Sequence, residues 1–164
     1  MLDKVIVKLC EKVACHLDKR VIYRDDGVPY LERYYILHSD TYKFLPGIYL
    51  HKFLASDEDV ELHDHPWHFS GSIILTGGYL EQRRYDNSGT QSVVTHLLSP
   101  GSINLIRGTT FHRVDLIDDF AWTLFFSGRK VRDWGFWHPE TKKYTPWKQF
   151  VEEKRAGRLD AAAE

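Results

Sequence analysis

The stretch ELHDHPWHFSGSIILTGG, residues 61–78, places three histidines within six positions and then runs into an apolar, β-branched segment. In an extended strand, residues two apart share a face. His63 and His65 therefore point one way and Asp64 the other. Two imidazoles on one face can chelate a divalent ion, but a stable site needs at least a third protein ligand. That ligand must come from a strand distant in sequence and adjacent in space, and His51, His96 and His112 are the candidates. His112 heads the segment FHRVDLI, after a turn glycine, Gly101, and the irregular run RGTT. His68 reads as a surface or supporting imidazole rather than a fourth ligand.

The elements that must carry these groups are mostly strands. YLERYYIL (30–37) and IYLHKFLA (48–55) are separated by HSDTYKFLPG, and SDEDVEL is an acidic loop. SIIL is a buried strand. YLEQRRYD and QSVVTHLL form a hairpin with its tip at 87–89, and SINLI, FHRVDLI and AWTLFFSG follow. Turns every eight to twelve residues predict an all-β sandwich or barrel over about residues 30–140. Val5, Leu9, Val13 and Leu17, with Ile6 and Cys10 beside them, predict an amphipathic helix over about 2–17. Thr145-Pro146 reads as an N-cap and first-turn proline opening a helix over about 146–156. The tryptophans at 134, 137 and 147 are expected to pack this C-terminal part against the barrel, and the last residues to fray.

With 164 residues the chain is expected to be a single domain, 1–164. Its 22 basic and 23 acidic residues give a net charge of -1, so no pull toward nucleic acid or an anionic bilayer follows. No apolar run reaches the roughly 18 residues of a membrane helix. Lys8, Glu11 and Lys12 interrupt the N-terminal apolar run, so it lacks the core of a signal peptide. Cys10 and Cys15 fall on different helix faces and read as free thiols of a reducing compartment. A cytoplasmic protein is expected.

The histidine segment resembles the cupin superfamily, small antiparallel jelly-roll barrels with a metal site carried by two motifs. The first runs Gly, five residues, His-x-His, three or four residues, Glu, six residues, Gly. His63 and His65 match its pair and Gly77 its closing glycine. The second runs Gly, five residues, Pro-x-Gly, two residues, His; Gly101 and His112 match its ends. Asp57 replaces the first glycine, Ser70 or Phe69 the glutamate, Arg107 the proline and Thr109 the second glycine. The same run also approaches the His-x-His-x-Asp-His pattern of metallo-β-lactamase-like hydrolases. There, however, Trp67 occupies the aspartate position, and that fold alternates helices with strands.

The cupin resemblance implies a jelly-roll β-barrel with a helix at each end and a divalent ion on His63, His65 and His112. Fe(II) is favoured, with Mn, Ni or Zn open. It implies an enzyme acting on a small polar or anionic molecule, with a mononuclear non-haem iron oxygenase of dioxygenase type as the leading form. A non-redox isomerase, epimerase or lyase on a sugar-like metabolite, and a non-catalytic small-molecule binder, are the alternatives. Tyr49, His51, Trp67 and Arg107 are the expected substrate-pocket residues. For His51 a hydrogen-bonded core histidine is the competing reading, and for Trp67 a plain core aromatic. Tyr79, Glu81 and Tyr85 are potential proton-transfer groups without an assigned role. The sequence does not fix the oligomeric state; cupins often dimerise through sheet edges, so the resemblance allows a homodimer, for which the end helices could also serve.

Overall fold

In a computed structural model, residues 2–37, 46–87 and 90–161 are described. The loop expected from 38 therefore lies mostly outside the described residues, as do Ser88 and Gly89 of the hairpin tip and the last three residues. A helix, α1 (Leu2–Ala14), leads into β1 (Lys19–Tyr23), β2 (Pro29–Leu37), β3 (Gly47–Phe53), β4 (Leu62–His63) and β5 (Phe69–Thr76). Then come β6 (Tyr79–Asn87), β7 (Thr90–Leu98), β8 (Ile103–Arg107), β9 (His112–Leu116) and β10 (Ala121–Ser127). A hairpin, β11 (Gly135–His138) and β12 (Lys143–Pro146), precedes α2 (Trp147–Ala161).

The strands form two six-stranded sheets, ordered β1-β2-β3-β10-β5-β8 and β12-β11-β4-β9-β6-β7, with antiparallel neighbours. Strands distant in sequence, β10 and β9, sit at the centre of each sheet, which is jelly-roll connectivity. Alternation along β10 sets the two packing layers. Ala121 faces inward, in a core cluster with Ile74, Tyr79 and Val114. Trp122 faces outward, yet it is buried, because α1 covers that side of the sheet with Cys10 and Ala14.

Three expectations change. The buried stripe of α1 is Ile6, Cys10 and Ala14, one position on from the one read in the sequence, and Val5, Leu9 and Val13 are exposed. The helix ends at Ala14 rather than near Leu17, since His16 and Leu17 make i→i−3 bonds that tighten and close it. The sheets reach beyond residues 30–140. β1, a short strand with two charged residues, pairs with β2 through the Asp25-Asp26-Gly27 turn, where Gly27 has φ +85°. At the other end Pro146 closes β12, and the Thr145 hydroxyl bonds His138 rather than capping α2. The expected tryptophan packing is seen: Trp134 stacks on Trp147 at 5.9 Å and Phe136 on Phe150 at 3.9 Å.

One close approach ties the fold to the histidines. Gly108 exchanges backbone bonds with the His65–His68 segment: its carbonyl accepts from His65 and its N–H donates to the His68 carbonyl. A Cβ at Gly108 would lie 1.8 Å from the Trp67 carbonyl oxygen. Gly108→Ala should therefore cost about 2 kcal/mol of stability by overpacking and displace the loop that carries His65. Urea unfolding checks the first effect and metal affinity the second; wild-type values for both would refute this account.

Candidate metal centre

β4 and β9 are neighbours, and their register makes His63 and His112 a direct cross-strand pair. The third ligand thus comes from the next strand of the same sheet. β4 is only two residues long, so His65 lies in the loop beyond it, held by its backbone bond to Gly108. Asp64 points the opposite way, as alternation requires. It is fully buried, accepts the Gly135 N–H at 2.8 Å and pairs with Arg132, away from the histidines. The hydrolase pattern fails at another position: its aspartate slot holds Trp67, which stacks on His65 and has no carboxylate to offer a second metal.

One nitrogen from each of His63, His65 and His112 lies within 4.8 Å of the other two. The Nε2 atoms of His65 and His112 are 2.8 Å apart. Two nitrogens about 2.1 Å from one ion at a right angle would be roughly 3 Å apart, so this edge already has coordination geometry. His112 is also fixed from behind: its Nδ1 lies 2.6 Å from Glu81 Oε1. A carboxylate can only accept, so Nδ1–H donates and Nε2 keeps its lone pair for a metal. Glu81 is fully buried and also accepts from Arg83 Nε at 2.6 Å and Asn104 Nδ2 at 3.1 Å. Burial alone would raise its pKa, but the His112 bond and charge, with Arg83 and Asn104, outweigh it and bring the group to about 2.

Two of the imidazoles, His63 and His65, are poised as neutral ligands. Burial drives His63 down to about 4, against the opposing pull of Asp57, whose Oδ2 is 3.8 Å from Nδ1. Burial, then the His112 and His63 charges, drive His65 well below the ordinary imidazole value. Asp57, in the place of the motif's first glycine, also accepts the Tyr30 hydroxyl at 2.6 Å and the Val114 N–H at 2.7 Å. It pins the acidic loop to β9.

The three histidines line a cavity of about 540 Å³ between the sheets. Among the expected pocket residues, His51 and Trp67 line it, and Trp67 stacks on His65 at 5.3 Å. Tyr49 stands behind His51, stacked at 5.8 Å. Arg107 does not line it: along β8, Asn104 and Ile106 face in, so Arg107 is exposed and borders a separate outer pocket with His68. His96 bonds the Tyr85 hydroxyl at 3.0 Å and is not among the three. The sequence reading missed Glu81 as the support of His112, and it missed Arg33, which lines the cavity from β2.

No protein-family model matches the sequence, and no curated protein matches it. Solved structures do. Iron(II) HppE in complex with substrate aligns at TM-score 0.53, and Fe(II)-HppE with the alternative substrate (S)-1-HPP at 0.52. Both are 12% identical and cover 70% of this chain. KdgF from a Halomonas species aligns at 0.47, with 17% identity over 70% of this chain and 91% of its own. The chain spans 57% of the length of HppE. The HppE likeness shows the fold: the chain has the cupin fold, an antiparallel jelly roll with a helix at each end.

Three outcomes test the site. His63→Ala and His112→Ala should abolish metal uptake measured by calorimetry, and His68→Ala should leave it unchanged; equal uptake in all three refutes the ligand set. Glu81→Gln should weaken metal binding about 10–100-fold while leaving the stoichiometry intact. The pH dependence has a definite sign. A histidine whose folded pKa is about 4, against 6.5 when exposed, binds its proton more readily in the unfolded chain. The metal-free protein should therefore lose stability as pH falls from about 6.5 toward 4. Urea midpoints should fall less steeply for His63→Gln than for wild type, and parallel curves would contradict it.

Proposed function

We propose that the chain is a metal-dependent enzyme acting on a small molecule, with mononuclear non-haem iron oxygenase chemistry as its leading form. The observation that carries this is the group of His63, His65 and His112 nitrogens facing one cavity. Three neutral imidazoles leave a divalent ion its full charge and open positions toward the cavity. Fe(II), when bound, supplies redox chemistry with dioxygen. The chain's own residues supply the rest. Glu81 fixes the His112 tautomer, and Trp67 stacked on His65 shields one side. Trp134, 6.3 Å from the His63 ring, lines the other side of the same cavity. The slot that holds glutamate in the family motif falls on Ser70 or Phe69; Phe69 is exposed, and the Ser70 hydroxyl is buried without a partner among the described residues.

The likeness to HppE, an iron(II) protein crystallised with its substrate, supports the iron reading. Free Cys10 and Cys15 suit a cytoplasmic setting. Among the described residues no helix is long and apolar enough to cross a membrane. The proposal treats residues 1–164 as one domain and the active species as a homodimer.

Metal analysis after aerobic and anaerobic purification tests this, followed by oxygen-electrode assays of the iron-loaded protein with small organic acids. Iron retention and acid-dependent oxygen consumption are the expected result. Tight zinc or nickel without oxygen consumption would replace the oxygenase with an isomerase or lyase. Failure to bind any of the four ions would leave a non-catalytic binder.

A further inference from the structure

The wall of the cavity formed by the other sheet carries a charge that no carboxylate among the described residues neutralises. Arg33 and His51 are cross-strand partners on β2 and β3, and both line the cavity. Arg24, Arg83, Arg84, Arg113 and Arg132 each pair with a carboxylate. Among the described residues none pairs with Arg33. Its contacts are of another kind: Nε donates to His51 Nε2 at 3.1 Å, and the guanidinium lies 5.1 Å from the centre of the Tyr49 ring.

These contacts orient the guanidinium without neutralising it. His51 is 3% exposed and sandwiched between Tyr49 and Phe125, whose rings lie 5.8 and 4.8 Å away. Burial, reinforced by the Arg33 charge, holds it neutral, so it acts as a fixed acceptor. With Nε engaged and the ring of Tyr49 beside the guanidinium, the two terminal nitrogens form a planar edge that matches two carboxylate oxygens. Burial penalises the Arg33 charge, a cost that a bound anion would offset. Arg20, the cross-strand partner of Arg33 on β1, lines the same cavity and adds a second positive charge. The lining shared with Arg33 and the histidines includes the apolar Leu31, Phe53, Ile106 and Val114 beside the polar Ser72 and Asn104.

We propose that Arg33 is the anion-binding residue of this cavity, and that its ligand is a small organic acid with a carboxylate at one end and an apolar middle. Its other end would reach the histidines; that clause alone rests on the metal reading.

The test uses the full chain without metal, so that only the arginine wall is probed. Benzoate, propionate, methylphosphonate and neutral propionamide are titrated while the Arg33 Nε–H resonance is followed by NMR. The carboxylates should shift it saturably, with Kd on the order of millimolar, and propionamide should not. Arg33→Gln should weaken benzoate binding at least about tenfold, with Arg33→Lys in between and thermal unfolding monitoring the fold of each. If Arg33→Gln unfolds, Arg33→Lys carries the comparison. Unchanged affinity in the folded variant, or binding of methylphosphonate alone, would overturn the proposal. Metal titration of Arg33→Gln should keep the wild-type stoichiometry. Should wild type take up no metal, the metal reading falls while the carboxylate result stands or falls by itself.

Discussion

A carboxylate removed entirely from water must be hydrogen-bonded on all sides or it will take up a proton. Glu81 is such a group, and the aim of His112 in the three-histidine cluster depends on how it is satisfied. Its partners come from three strands: His112 on β9, Asn104 on β8 and Arg83 on β6. Since β8 belongs to one sheet and β6 and β9 to the other, the carboxylate clamps the two sheets together at the height of the histidines. It sets the His112 tautomer in the same contact. Removing one partner of a buried ionic group costs about 3–5 kcal/mol, so a fold that keeps Glu81 ionised also keeps His112 aimed.

The strands were legible because alternation and turn spacing are local properties. β5, β6, β7 and β10 fall close to where the pattern puts them. The pairing of His63 with His65 was legible from their spacing, although His65 lies past the end of β4 and the Gly108 backbone bond holds it there. His112 followed from motif spacing, and its partner strand was read correctly as one near in space. What stayed hidden depends on register. Nothing in RYYIL says that Arg33 lies opposite His51, and nothing in YLEQRR says that Glu81 sits beside Val114 with His112 two positions back. Arg107 was misplaced because its stretch was read as irregular, when in fact β8 continues through it and alternation turns it outward.

The two buried histidines that most resemble each other, His51 and His112, illustrate why residue type alone does not identify a ligand. Each is under a tenth exposed and each lines the same cavity. His112 meets a carboxylate, which accepts the Nδ1–H bond and leaves the ring's lone pair on Nε2. His51 meets a guanidinium, which occupies the lone pair on Nε2 and adds a positive charge beside it. The first arrangement raises affinity for a cation and the second lowers it. A metal ion near His51 would compete with Arg33 both for the nitrogen and electrostatically, so the two walls of the cavity differ: one presents imidazoles backed by a carboxylate, the other a guanidinium. That difference follows from two groups on neighbouring strands, Glu81 behind one imidazole and Arg33 beside the other, and it would give a bound anion a direction before any chemistry begins.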